Sequence, residues 1–108
     1  MTTPHLFGTL EGCCVSRSED LEGKMKKIAE KFNFTVMGKL FVQFEPQGTT
    51  GFVFILAESH ASVHTWPELS LVKYDVFCCS EGFDPEACAE YFGEVFGAEH
   101  NTWEVKYR

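Results

Sequence analysis

The sequence lacks any long hydrophobic run. The longest uninterrupted apolar stretch among its 108 residues is Phe52–Ala57. A bilayer-spanning helix needs about 20 consecutive apolar residues, so we expect no membrane span. The first residues also lack the charged and apolar regions of a secretory signal peptide. We therefore expect neither insertion into a membrane nor secretion.

Positive charge is also scarce. Nine Lys and Arg stand against sixteen Asp and Glu, and the formal net charge is −7. Proteins that bind nucleic acid or an anionic membrane surface carry an excess of Lys and Arg to neutralise phosphates. The balance therefore argues against both kinds of partner and is compatible with a cationic substrate.

The cysteines do not form a disulfide framework. Their number is odd, and they fall in two adjacent pairs and a single residue, Cys13, Cys14, Cys78, Cys79 and Cys88. No Cys-x-x-Cys pair with zinc-binding spacing occurs. This pattern is typical of a reducing compartment, and it predicts a cytoplasmic protein.

The hydrophobic content is that of a folded protein. Hydrophobic residues make up 44% of the chain and include eleven Phe. A chain of this length has enough apolar side chains for one core but not for two. The sequence therefore predicts a single domain over residues 1–108.

The hydrophobic periodicity predicts the order β-α-β-β-β-β-α-β. A first strand runs from His5 to Cys14, with Gly8 and Gly12 as candidate bulges, and an apolar stripe of helical period begins at Leu21 and ends near Asn33. The remaining predicted elements are a strand over 34–44 with a candidate turn at 38–39, a buried strand over 52–57, a strand-like motif over 58–68, a strand over 71–79, a helix over 84–97 and a strand over 101–107. Asp84 and Pro85 are typical of a helix N-terminus, and Gly97 of a helix end. This order is typical of an α+β two-layer sandwich, an antiparallel β-sheet with two helices packed on one face.

Chemically reactive side chains concentrate between Glu58 and Glu68. This stretch holds two histidines, three hydroxyl groups and two carboxylates directly after the apolar run. In a strand, alternation would place His60, Ser62 and His64 on one face and the residues between them on the other. Imidazole and hydroxyl groups at this spacing can perform proton transfer and acyl chemistry. The residue types alone favour a polar strand that has no catalytic role.

The residues of this stretch resemble a known family. Glu58-Ser59-His60, followed by His64-Thr65-Trp66-Pro67-Glu68 and a strand that ends at Cys79, resembles the bacterial and archaeal S-adenosylmethionine decarboxylases. These are small, self-cleaving, pyruvoyl-dependent enzymes of polyamine synthesis. The resemblance implies a carboxy-lyase that makes the aminopropyl donor for spermidine synthesis. It also implies cleavage into a β chain, 1–58, and an α chain, 59–108.

The resemblance implies a role for each matched residue. Ser59 would attack the carbonyl carbon of Glu58 and become the pyruvoyl group that binds the substrate amine as a Schiff base. His64 would assist this processing, Thr50 would support it, and Cys79 would return a proton to the substrate carbon. Thr50 stands where relatives commonly have serine, which implies slower processing. Glu68 would hold the substrate ribose, and Phe44, with Phe7 as a weaker candidate partner, would stack on adenine.

The resemblance also implies the cofactor and the assembly. Decarboxylation of an amino acid needs an electron sink, which a carbonyl made from the chain supplies without pyridoxal phosphate or a metal. The family forms homodimers of αβ protomers in which each site draws on both protomers. A homodimer would also cover the sheet face opposite the helices.

Three alternatives remain open. The same machinery could decarboxylate arginine or ornithine, because a carboxylate and an aromatic ring also suit a cationic side chain. The chain could instead be an uncleaved, non-catalytic regulatory homologue. Metal binding by His60, His64 and a cysteine is disfavoured, because residues four apart converge on an ion from a helix and not from a strand.

Overall fold

The fold is described from a computed structural model, which covers residues 2–15, 20–46 and 48–108. The helices are α1 (Leu21–Lys31) and α2 (Pro85–Phe96), and a 3₁₀ turn covers Pro67–Leu69. The strands are β1 (Pro4–Glu11), β2 (Val36–Phe44), β3 (Thr49–Leu56), β4 (Ser59–Trp66), β5 (Leu71–Phe77) and β6 (His100–Tyr107). The order predicted from the sequence is confirmed. The segment Ser16-Arg17-Ser18, which precedes the first predicted helix, lies outside the described residues.

Capping residues in the sequence account for the ends of both helices. The Asp84 carboxylate accepts a hydrogen bond from the backbone N–H of Ala87 at 3.2 Å and so caps α2. Gly97 ends α2 in the left-handed conformation, with φ of 60°. Asp20 caps α1 in the same way through the N–H of Gly23. Asn33 follows α1 with φ of 56°, a conformation that Asn tolerates better than most residues.

The six strands form one antiparallel sheet in the order β2-β3-β4-β5-β1-β6. Strands β2 to β5 follow one another as a meander, and β1 inserts between β5 and β6. The predicted α+β class, with helices on an antiparallel sheet, is confirmed. Within the described ranges, no helix is long and apolar enough to span a membrane.

One face of the sheet packs against the helices and forms the core. Alternate residues of the strands point into it, among them Leu6, Phe54, Val63 and Val76. On α2 the ring of Phe92 stacks on Tyr74, with centroids 4.2 Å apart. The 52–57 strand is buried on this face only: Ile55 points the other way and is 52% exposed. A continuous apolar run therefore does not mean burial on both faces here.

Two glycine predictions were wrong. Gly8 is not at a bulge, because it pairs in regular register with Tyr74 and Trp103. A Cβ at Gly8 would lie 2.4 Å from the Tyr74 ring, so glycine is needed there to make room for that ring. Gly38 is not in a turn, since β2 runs through it with a register shift between Val36 and Gly38.

The second face of the sheet is open. At the β2 edge it carries Leu40, Val42 and Phe44, which are 65%, 46% and 52% exposed, beside Ile55 on β3. Toward the other edge the same face carries polar side chains on β1, β4 and β5. We call this surface the open face, and it bears the residues considered next.

Candidate functional site

The Glu58-Ser59 bond lies in the tight turn between β3 and β4. Leu56 pairs with Ser59, so that Ala57 and Glu58 form a two-residue hairpin loop. Glu58 has φ of 61°. A residue with a Cβ pays about 1–2 kcal/mol for this left-handed conformation. The bond predicted to break is therefore held in a strained conformation.

Cys79 contacts both residues of that bond. Its thiol lies 3.4 Å from the Ser59 hydroxyl oxygen and donates to the Glu58 carbonyl oxygen at 3.4 Å. The backbone N–H of Cys79 donates to the Ser59 hydroxyl oxygen at 3.1 Å. This arrangement arises because Cys79 follows the end of β5, which pairs with β4.

The chemistry of these contacts suits an attack by Ser59 on Glu58. A backbone N–H aimed at a hydroxyl oxygen stabilises negative charge that develops there, and a donor at a carbonyl oxygen makes the carbonyl carbon more electrophilic. The thiol is also next to the atoms of residue 59, which is the position that a proton donor to a substrate bound there must occupy.

His64 lies away from this turn. It follows Ser59 by five residues on the same strand, which at about 3.3 Å per residue separates their backbones by about 16 Å. Its side chain points to the open face, lies over Gly51 and stacks on Trp66 with centroids 5.8 Å apart. A Cβ at Gly51 would approach the imidazole to 2.8 Å, so glycine there lets the ring lie flat on β3. One chain does not bring His64 to Ser59.

Phe44 and Glu68 lie at the same end as His64. Phe44 and His64 line a hollow of about 210 Å³ on the open face together with Leu40 and Val42. Glu68 is in the 3₁₀ turn directly after β4. Phe44 and Glu68, two of the three predicted substrate-binding residues, are therefore grouped with the histidine and separated from the serine.

Thr50 has a local structural partner. Its side chain is buried, and its hydroxyl donates to the backbone carbonyl of Gly48 at 3.1 Å. It pairs with Thr65 at the end of β3 that is remote from Ser59. Within one chain Thr50 therefore stabilises the loop that enters β3.

Phe7 lies on β1, level with the middle of β4. It is on the open face of β1, opposite Asp75 on β5, and its ring centroid is 5.8 Å from that of His5. It also lines a hollow of about 370 Å³ with Thr9, Lys73 and Glu104. Of the two aromatic residues proposed for adenine, Phe7 is level with Ser62 in the middle of β4, whereas Phe44 is at the end remote from Ser59.

Sequence reasoning missed a polar cluster centred on Asp75. The carboxylate of Asp75 accepts hydrogen bonds from Ser62 and from His5, the latter at 2.8 Å, and lies 3.5 Å from Nε2 of His60. Burial alone raises the pKa of Asp75, but these hydrogen bonds and the nearby imidazoles outweigh it, and the net pKa is below its usual value. The cluster depends on strand register, because His5 and His60 both pair with Phe77.

Comparison with known proteins agrees with the motif. The sequence profile of the S-adenosylmethionine decarboxylase family matches residues 4–108. The S-adenosylmethionine decarboxylase proenzyme of Caldicellulosiruptor saccharolyticus is 39% identical over 106 residues, which cover 94% of this chain and 85% of the relative. The proenzyme of Archaeoglobus fulgidus is 37% identical over 94 residues, which cover 87% and 82% of the two chains.

A solved structure has the same fold. The crystal structure of adenosylmethionine decarboxylase from Aquifex aeolicus superposes with a TM-score of 0.86 at 26% identity, over 98% of this chain and 89% of that one. The resemblance to the bacterial and archaeal enzymes is confirmed, and so is the prediction of a carboxy-lyase. From its motif, its sheet and these relatives, the chain belongs to the S-adenosylmethionine decarboxylase family.

Proposed function

We propose that this chain is a proenzyme that cleaves itself between Glu58 and Ser59 and then decarboxylates S-adenosylmethionine. The product would be the aminopropyl donor for spermidine synthesis. One observation carries the proposal: Cys79 contacts the Ser59 hydroxyl and the Glu58 carbonyl at the same time, at a strained turn. The relatives are named S-adenosylmethionine decarboxylase proenzymes and match most of this chain, which supports S-adenosylmethionine as the substrate.

Cleavage starts with the hydroxyl of Ser59. Its oxygen bonds to the Glu58 carbonyl carbon while the C–N bond between the two residues breaks, so the peptide becomes an ester and Ser59 gains a free amine. Loss of the Ser59 α-proton and of the Glu58 carboxylate then leaves a dehydroalanine. Water replaces its nitrogen, and ammonia departs. The strain at Glu58 favours the first step because the conformation is no longer imposed once the bond is broken.

The site fits the group that this cleavage would create. Residue 59 begins a strand, is half-buried and has a thiol within hydrogen-bond distance, so a carbonyl there would be oriented beside an acid. The pyruvoyl group supplies the electron sink that decarboxylation requires, which makes pyridoxal phosphate and a catalytic metal unnecessary. The chain's own contribution is to position the substrate and to deliver a proton from Cys79.

The mass of the intact protein tests cleavage. Under denaturing conditions we expect two fragments, 1–58 and 59–108, with the second lighter by one ammonia than the product of simple hydrolysis. Incubation with S-adenosylmethionine, arginine and ornithine in parallel, with carbon dioxide as the readout, then identifies the substrate. A single full-length mass after prolonged incubation would contradict the proposal and favour an uncleaved regulatory homologue.

We also propose that the active form is a homodimer of αβ protomers joined through their open faces. Ser59 and Cys79 lie at one end of β4, while His64, Phe44 and Glu68 lie at the other, so one chain holds two half-sites. A two-fold axis that lies between the two open faces and runs across the strands would place each end of β4 over the opposite end of the partner's β4. The exposed apolar side chains of β2 would be covered in the same contact.

Complementation between variants tests this shared site. Ser59→Ala removes one half-site and Glu68→Gln the other, so each variant homodimer should be inactive. Co-expressed, they should form mixed dimers with one intact site, giving about one quarter of parent activity for random pairing in a two-fold dimer. Activity that stays at the level of the separate variants, although mixed dimers are isolated with two affinity tags, would contradict a site shared between protomers.

A cytoplasmic location is also proposed, because all five cysteines are free thiols. A reducing compartment keeps them so, and Cys79 must remain a thiol to contact Ser59 as it does here.

A further inference from the structure

The cluster around Asp75 brings together three side chains that ligate metals. One ligand atom from each of His5, His60 and Asp75 lies within 4.8 Å of the other two, and Nε2 is the imidazole atom that faces the Asp75 carboxylate in both histidines. They come from three adjacent strands, β1, β4 and β5, and converge on the open face. We propose that these three residues bind a divalent transition-metal ion such as Ni²⁺ or Zn²⁺.

The distances are close to those of a ligated ion. Ligand atoms about 2.0–2.2 Å from a metal lie about 3–3.5 Å apart when they are neighbours in its coordination shell. Oδ2 of Asp75 lies 2.8 Å from Nε2 of His5 and 3.5 Å from Nε2 of His60. The second distance is long for an N–H···O hydrogen bond, so the pair leaves room for an ion.

The ligand atoms, and the hydrogen bond that orients Asp75, indicate which class of ion would bind. Two imidazoles and one carboxylate suit Zn²⁺, Ni²⁺ or Fe²⁺, whereas Ca²⁺ and Mg²⁺ prefer oxygen ligands throughout. Ser62 donates to Oδ1 of Asp75, which holds the carboxylate with Oδ2 facing both imidazoles. In the single chain the site is half-buried, with side-chain exposures of 20% for His5, 28% for Asp75 and 41% for His60.

The positive charge of Arg108 would weaken metal binding, and this effect provides a test. Its guanidinium lies 3.2 Å from Nδ1 of His5. Because arginine only donates, it requires Nδ1 to be the acceptor and Nε2 to carry the proton. A metal on Nε2 reverses this assignment, so that Nδ1 carries the proton and faces a cation. Removing the guanidinium should therefore tighten metal binding.

Calorimetric titration of the purified, tag-free protein with Ni²⁺ tests the site. Nickel is chosen because imidazole and carboxylate ligands suit it and because Zn²⁺ would also bind the exposed thiol of Cys14. We expect one ion per chain in the parent. Asp75→Asn and His60→Asn should weaken binding at least tenfold, and Ser62→Ala, which removes only the support of the carboxylate, by about 10- to 100-fold.

Two further variants make the result decisive. Arg108→Gln should bind Ni²⁺ several-fold more tightly than the parent, a change of sign that loss of folding cannot produce. His100→Asn, an exposed histidine at the start of β6, should bind as the parent does. Failure of the parent to bind, or equal affinity in the parent and His60→Asn, would overturn the proposal. Because the readout is binding, the result does not depend on chain cleavage or on decarboxylation.

Discussion

Replacing Ser59 by alanine should leave the chain uncleaved and inactive. The hydroxyl oxygen of Ser59, which accepts a hydrogen bond from the backbone N–H of Cys79, is the nucleophile of the proposed step, and alanine has no substitute for it. We expect no cleavage at all: the intact mass should remain that of the full chain after an incubation that fully cleaves the parent.

Ser62→Ala is the matched control for this variant. It removes a hydroxyl from the same strand, but that hydroxyl donates to Asp75 and makes no contact with the Glu58-Ser59 turn among the interactions described. We expect Ser62→Ala to cleave. Cleavage of Ser59→Ala at the same bond would show that another nucleophile acts and would contradict the assignment of Ser59.

Replacing Cys79 by serine should separate cleavage from decarboxylation. Serine keeps a donor near the Glu58 carbonyl and leaves the backbone N–H on Ser59, so the chain should still cleave. A serine hydroxyl is a much weaker acid than a thiol, and so it should not deliver the proton to the substrate carbon. Loss of a general acid lowers turnover by about 10²- to 10⁴-fold, and we expect a decrease in kcat of this size.

The measurement combines intact mass with turnover of the cleaved fraction. Cys14→Ser is the control, since it removes an exposed thiol outside the strands and should leave both properties unchanged. A Cys79→Ser enzyme that cleaves and turns over like the parent would contradict the role of the thiol as proton donor. If Cys79→Ser fails to cleave, the thiol contact with the Glu58 carbonyl is required for processing.

Local features of the fold could be predicted from the sequence because they depend on neighbouring residues. Asp84, Pro85 and Gly97 satisfy or relieve the backbone at the ends of a single helix, so the limits of α2 followed directly. Alternation in β4 likewise assigned Ala61, Val63 and Thr65 to one face, and all three are buried. The order of the elements and the fold class followed from such signals.

The structural role of a glycine was harder to predict because it depends on residues elsewhere in the chain. Gly8 suggests a bulge when only its own strand is considered. The structure shows that it accommodates Tyr74, 66 positions later, whose hydroxyl donates to Asn101. Similarly, Gly51 makes room for His64 from the neighbouring strand. Neither partner could be assigned without knowing the strand pairing.

The sequence by itself determined the elements, the faces of the strands and, through its motif, the family. Only the tertiary structure decided which reactive groups meet: Cys79 contacts Ser59 and Glu58, His64 is remote from them, and His5 and His60 converge on Asp75. The physical reason is that side-chain alternation is a local property with a period of two, whereas strand order and register depend on which distant segments bury their apolar faces together. A shift of one residue in the pairing of β4 with β5 would have dispersed the Asp75 cluster while leaving every local signal unchanged.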